Sequence, residues 1–172
     1  MSKMYLMCGL SGVGKTTYAK KFAEENNIIY LGIDDCYAEI NGDECIHENQ
    51  FRAWILFYEK IHSLAVAGLD CIVDTNAITY CHRRQFLDWF PEFDEHHLIF
   101  IRATEELRYA NNKSRRRVIP DKAMKKMLND FEYPAISEIG EWDSITTVRN
   151  ENNQFLQPII KARSMTVYGT NR

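Results

Sequence analysis

The stretch Gly9-Leu10-Ser11-Gly12-Val13-Gly14-Lys15-Thr16-Thr17 decides the fold. It satisfies G-x-x-x-x-G-K-[ST] at Gly9, Gly14, Lys15 and Thr16, a pattern that carries meaning when a strand precedes it and a helix follows. Both flanks are present. The apolar run Met4 to Cys8 reads as a strand, and Thr17 to Glu25 is rich in helix formers. The chemistry is anion capture: glycines let backbone N–H groups curl around phosphate oxygens, and the helix start adds its positive dipole end. Gly9, Ser11, Gly12, Val13, Gly14, Lys15, Thr16 and Thr17 are therefore the candidate nucleotide-binding residues. Lys15 reaches the β- and γ-phosphates of ATP, and the Thr16 hydroxyl ligates Mg²⁺, in the roles this loop plays in phosphoryl transfer.

Outward from the loop, strands and helices alternate. Residues 3–8, 28–33, 69–74, 97–101 and 144–148 read as strands. Segments following residue 17, at 47–67, 79–90, from 104 and from 120 read as helices. This pattern predicts an α/β fold with a parallel sheet of about five strands and helices on both faces. In the long segment 47–67, Phe51, Trp54, Ile55, Tyr58, Ile61, His62 and Ala65 recur at helical spacing and predict one apolar face. The polar run Asn150 to Gln154 reads as a boundary, giving a domain over 1–150 and a tail over 151–172, in which Phe155, Leu156, Ile159 and Ile160 are apolar enough to dock.

Length and composition agree with one domain. The chain has 172 residues, 45% hydrophobic and 26% charged, enough for a substantial core. A net charge of −3 provides no global basic field for nucleic acid, although a local groove can still be basic. No apolar run reaches membrane-spanning length and no apolar signal core opens the chain, so a cytoplasmic location and no membrane partner are expected. The five cysteines lack C-x-x-C spacing; Cys8 and Cys71, in apolar strands, read as buried thiols. The histidines have no ligand spacing for zinc.

Three further clusters bear chemistry. Asp34 and Asp35 follow the second strand, where a carboxylate faces the γ-phosphate and can take the proton of an acceptor hydroxyl; Asp is also common as a helix cap. Asp74 ends the third strand, as a carboxylate holding Mg²⁺ or its water would. Thr75 and Asn76 follow it, where a hydrolytic motor commonly carries a glutamate, and they suit hydrogen bonding to a substrate. No N-K-x-D segment reads guanine. Finally, Arg108 and the run Lys113 to Arg117 read either as a solvated helix face or as a lid bringing guanidinium groups to the transferring phosphoryl. Three consecutive arginines favour the lid.

These residues together resemble a known family. The phosphate loop, Asp34-Asp35, Val73-Asp74-Thr75-Asn76 and the arginines before Ile119-Pro120 are similar to the P-loop kinases related to phage polynucleotide kinase and zeta toxin, over about residues 3–148. The resemblance implies ATP- and Mg²⁺-dependent transfer of a phosphoryl group to a hydroxyl. It makes Asp34 the base, Arg115, Arg116 and Arg117 the lid arginines, Thr16 and Asp74 the metal site, and Asp35, Tyr37, Thr75 and Asn76 the acceptor side. The 5′-hydroxyl of a polynucleotide is one acceptor it implies. A small molecule is the alternative, as is a binding module in which ATP shapes a surface for a protein partner. Tyr37 stands where the polynucleotide kinases usually carry an arginine for the substrate phosphate, which points toward another hydroxyl.

Overall fold

The structure, a computed structural model, describes residues 1–134 and 136–162. Five parallel strands form the sheet: β1 (Lys3–Cys8), β2 (Ile29–Gly32), β3 (Cys71–Asp74), β4 (Glu95–Arg102) and β5 (Ser144–Glu151), in the order β2-β3-β1-β4-β5. Every position of β3 is buried, as expected for a parallel strand covered on both faces. Six helices connect the strands: α1 (Lys15–Asn26), α2 (Ile33–Asn41), α3 (Gln50–Val66), α4 (Tyr80–Trp89), α5 (Glu105–Lys113) and α6 (Asp121–Asn129). The chain crosses from β1 past β3 to β2 and then works back toward β4 and β5. Right-handed crossovers in opposite directions put helices on opposite faces. Leu6, Met7, Ile72, Leu98 and Ile101 form the centre of the core, sealed by Phe57, Phe86 and Trp142.

Element ends follow local chemistry. Thr79 caps α4 by accepting the His82 N–H at 3.2 Å, and Thr104 caps α5 by accepting that of Leu107 at 3.3 Å, each satisfying an otherwise orphaned donor. α4 stops before Pro91, and Pro120 stands at the N-cap of α6.

Three details differ from the sequence reading. The buried stripe of α3 is Ala53, Phe57, Ile61 and Ala65, with Trp54 and Tyr58 half-buried; Phe51 is 77% exposed, and Ile55 and His62 are also exposed. The small residues at 53 and 65 let α3 approach α2, β2 and β3 closely, and the bulky side chains at 51 and 55 misled the periodicity. α2 begins at Ile33, so Asp34 and Asp35 lie inside its first turn and neither is its N-cap. They still complement the helix dipole.

The third difference concerns residues 151–162. β6 (Gln154–Phe155) and β7 (Ile159–Ala162) both pair antiparallel with β5, extending the sheet beyond residue 150. The β5–β6 turn is Asn152-Asn153, at φ 52° and 63°. Two successive positive φ values make a tight hairpin turn that asparagine tolerates better than most residues. Leu156, Ile159 and Ile160 remain 39%, 63% and 62% exposed. The last ten residues of the expected tail lie outside the described residues.

Candidate active site

A cleft of about 900 Å³ opens where β1, β2 and β3 end, the edge at which open α/β sheets bind ligands. Register sets it up: Gly32 pairs beside Asp74, so the residues after β2 and β3 emerge together next to the loop after β1. Gly12 has φ 83°, and a Cβ there would meet the Arg108 carbonyl oxygen at 2.4 Å. Gly14, at φ 95°, is the N-cap of α1, and a Cβ there would meet the Asn150 amide nitrogen at 2.8 Å. Only glycine fits either position. Ser11, Gly12, Gly14, Lys15, Thr16 and Thr17 line the cleft. Val13 is turned into the core, and Gly9 lies behind the wall against Ile101.

Lys15 is buried and folds back onto its own loop, donating to the Gly9 carbonyl at 2.8 Å and the Leu10 carbonyl at 3.1 Å. Burial lowers its pKa from the ordinary lysine value, and Asp74 partly opposes that shift. An ammonium held by two neutral carbonyls remains ready to exchange them for phosphate oxygens, a stronger charge-assisted pairing.

Asp74 accepts from the Thr16 hydroxyl at 2.6 Å and from the Tyr30 hydroxyl at 3.1 Å. A hydroxyl and a carboxylate already side by side suit Mg²⁺, which takes one or two protein oxygens and completes its shell with phosphates and water. Tyr30 is a site residue that the sequence reading missed. Burial, reinforced by Asp74, pushes its hydroxyl well above the ordinary tyrosine value and keeps it a donor. A Cβ on Gly32 would meet that hydroxyl at 2.4 Å, so the glycine before α2 makes room for it.

Asp34 is half-buried and lines the same cleft; Asp35 lines it too but is exposed. Burial raises the Asp34 pKa first and Asp74 second, against the opposing fields of Arg115, His47 and Arg117. One helical turn on, Tyr37 is buried and stacks on His47 with ring centroids 3.9 Å apart. Trp54, Gln50 and His82 continue this wall.

The basic segment divides. Arg115 and Arg117 line the cleft, whereas Arg116 is turned away and pairs with Asp43. Neighbouring residues in an irregular loop point in different directions, so three arginines could not all face one phosphoryl group. Arg108 does not belong to the lid: it is buried, with Nε donating to the Ser11 carbonyl at 3.3 Å, and it braces the phosphate loop. The loop itself is pinned by buried Asn112. Its side-chain amide donates to the Ile119 carbonyl at 2.8 Å and its side-chain oxygen accepts the Ile119 N–H at 3.0 Å.

Thr75 is buried and Asn76 exposed, and both line the cleft. The turn behind them is held by Arg83, which is fully buried. It grips Glu138 bidentately at 2.8 and 2.7 Å and donates to the Ala77 carbonyl at 3.2 Å. Ala77 itself has φ 41°, an unfavourable conformation that the surroundings must impose. Arg83→Met leaves the Glu138 carboxylate without its guanidinium and should cost about 3–5 kcal/mol of stability in urea unfolding. Adding Glu138→Leu should recover most of it, since an apolar pair replaces a buried ion pair at little net cost. A loss below about 1 kcal/mol in the single variant, the scale of surface pairs, would deny the pair this role.

At the far end of the phosphate loop, the sequence reading missed Asn111, Asn150, Asn153 and Phe155, all cleft-lining. The Asn111 amide donates to the Gly12 carbonyl at 2.8 Å and that of Asn150 to the Val13 carbonyl at 2.9 Å. Phe155 packs edge-on against Tyr18 at 5.1 Å. The one sequence signal was the Asn-Asn pair between two short strand-like runs, a hairpin signature.

A glycine-lined anion loop at a parallel sheet edge, with a hydroxyl–carboxylate pair and a basic segment across the cleft, defines a P-loop kinase site. Residues 4–134, more than half of the chain, match the AAA domain family, and the chain belongs to this family of P-loop kinase domains. No curated protein matches it. Among solved structures, a sugar kinase from Janibacter sp. HTCC2649 is similar at TM-score 0.63 and 18% identity, with 87% of this chain and 86% of that one covered. The PezAT toxin–antitoxin system of Streptococcus pneumoniae matches at TM-score 0.64 and 13% identity, covering 92% of this chain and 71% of that one. The Pnkp1/Rnl/Hen1 RNA repair complex matches at TM-score 0.66 and 19% identity, covering 77% of this chain and 44% of that one. At such identities the likeness is one of fold. Among the described residues no helix is long and apolar enough to cross a membrane.

Proposed function

We propose that this protein is an ATP-dependent kinase that transfers the γ-phosphoryl group to a hydroxyl of a small-molecule acceptor. The observation that carries the reading is Asp34. This half-buried carboxylate shares a cleft with the phosphate loop, Asp74 and Arg115, and burial and Asp74 hold it above the usual carboxylate range. Such a group is a better proton acceptor at neutral pH than an exposed aspartate. The acceptor hydroxyl gives its proton to Asp34 as its oxygen bonds to the γ-phosphorus. The bond from that phosphorus to the β–γ bridging oxygen breaks, and ADP leaves. Lys15 and the loop N–H groups hold the donor phosphates, and Thr16 and Asp74 would hold Mg²⁺, which would supply charge neutralisation to the transferring phosphoryl group.

A small acceptor is favoured by dimensions. The whole cleft, about 900 Å³, accommodates donor and acceptor together, the scale of a small-molecule site. Tyr37, Trp54 and His82 wall the acceptor end. The sugar kinase and the RNA repair complex among similar folds define the two arms of the test. ADP release should be followed over a panel of sugars, hydroxy acids and nucleosides beside 5′-hydroxyl RNA and DNA. Turnover confined to the polynucleotides would overturn the small-molecule reading. Phosphorylation of nothing would favour a nucleotide-dependent binding module acting on a protein partner.

Nucleotide binding is testable first. Lys15→Ala removes a charged donor to the β- and γ-phosphates and should weaken ATP-Mg²⁺ binding roughly 10- to 100-fold in calorimetry, the worth of a charge-assisted hydrogen bond. Unchanged affinity in the folded variant would refute the phosphate-loop assignment.

A further inference from the structure

Arg115 and Arg117 both reach the cleft, but they are held differently. Arg117 contacts the His47 ring through Nη1 and Nε2. Since arginine only donates, His47 is the acceptor and must be neutral. Its other ring nitrogen is directed to the Glu44 backbone, and burial together with Arg117 lowers its pKa, which keeps it neutral at physiological pH. The ring is held flat against Tyr37, and the Tyr37 hydroxyl is in turn in hydrogen-bond contact with Trp54 and Gln50. Arg117 is thus positioned by a chain of uncharged groups. Among the described residues it forms no ion pair with Asp or Glu, whereas adjacent Arg116 pairs with Asp43. A guanidinium oriented by a neutral imidazole keeps its full charge available to a ligand.

The location selects the ligand. Tyr37 lies three residues beyond Asp34 on α2, on the same side of the helix. The field of Arg115 reaches both Lys15 and Asp34, at the phosphate-loop end; that of Arg117 reaches Asp34, Tyr37 and His47, at the acceptor end. We propose that Arg117, braced by His47 and Tyr37, binds an anionic group, a carboxylate or phosphate ester, carried by the acceptor in addition to the hydroxyl it presents to Asp34. The acceptor class is then a hydroxy acid or a sugar phosphate rather than a neutral sugar. This rests on the kinase reading for its functional meaning but not for its anion site. Planar, forked Arg117 suits both carboxylate and phosphate.

The test begins without turnover. Protein saturated with Mg²⁺ and a non-hydrolysable ATP analogue, so that the phosphate loop is filled, is titrated with inorganic phosphate at constant ionic strength while the His47 ring resonances are followed by NMR. A saturable shift is expected in the wild type and in Lys122→Gln, an exposed-charge control. It should be lost in Arg117→Gln and partly kept in Arg117→Lys. No saturable shift in the wild type, or an undiminished one in Arg117→Gln, overturns the proposal. In the turnover arm, gluconate is compared with glucose and ribose 5-phosphate with ribose. Arg117→Gln should raise KM for the charged member roughly 10- to 100-fold, as loss of a charge-assisted contact does, with kcat little changed. Equal losses of kcat on charged and neutral members would instead assign Arg117 to the transferring phosphoryl. Phosphate binding without turnover of any acceptor would defeat the kinase reading and leave the anion site standing.

Discussion

Asp34→Asn should bind ATP-Mg²⁺ within about twofold of wild type yet lose roughly 10²- to 10⁴-fold in turnover, the usual worth of a general base. The substitution keeps size and hydrogen bonding and removes only the capacity to take a proton. Affinity survives because Lys15, Thr16 and Asp74 are untouched, and Thr16 keeps its 2.6 Å bond to Asp74. Asp35→Asn is the internal comparison. It shares the first turn of α2 but is exposed, and it should lose far less. The pH profile gives a second readout. The active form of a base is deprotonated, so kcat/KM falls as pH drops through its pKa. Burial, then Asp74, raises the Asp34 pKa; the acid limb should therefore lie at higher pH than an exposed aspartate gives, and it should vanish in Asp34→Asn. Calorimetry and steady-state turnover on both variants check this. Equal losses at 34 and 35 would make the choice of base arbitrary, and full activity in Asp34→Asn would end the base role.

The site was legible from sequence wherever chemistry is local in the chain. The phosphate loop announces itself because one backbone shape needs glycines at fixed offsets. The cleft-lining places of Asp34 and Asp74 were legible because parallel strands deliver the residues at and after their ends to one edge, whatever the intervening sequence. Tyr30 could not be found this way. Its role comes from sheet register, which brings β2 beside β3, and from the absence of a side chain at Gly32. The Asn111, Asn150 and Asn153 amides were invisible for the same reason: Asn111 and Asn150 donate to loop carbonyls remote in sequence, Asn153 accepts from Asn111, and nothing local distinguishes them from turn residues. The α3 face was misread in part: Ile61 and Ala65 are buried as expected, but periodicity weighs side-chain size and so chose exposed Phe51 and Ile55 and passed over Ala53, which close packing buries. Arg83 illustrates the opposite failure. The sequence reading passed over this α4 residue, and only the fold shows it fully buried against Glu138.

Arg115→Gln should lower kcat by about 10³-fold or more, the scale of an arginine that neutralises charge on a transferring phosphoryl, while KM for ATP changes little. Among three adjacent arginines the geometry singles this one out. Arg116 is paired with Asp43, and His47 holds Arg117 toward the acceptor end of the cleft. Arg115 lines the cleft and its field acts on both Lys15 and Asp34, the groups at either side of the phosphorus in flight. Its backbone N–H bonds the Asn112 carbonyl at 3.2 Å, which fixes the main chain from which the exposed side chain reaches the cleft. An interaction formed only in the transition state removes kcat and kcat/KM together when lost. A ground-state phosphate contact would raise KM instead. Single glutamine variants at 115, 116 and 117, assayed with one acceptor, separate the cases. A large kcat loss at 115, a much smaller one at 116 and a KM effect at 117 is the expected pattern. Full turnover in Arg115→Gln would return the segment to a solvated basic loop.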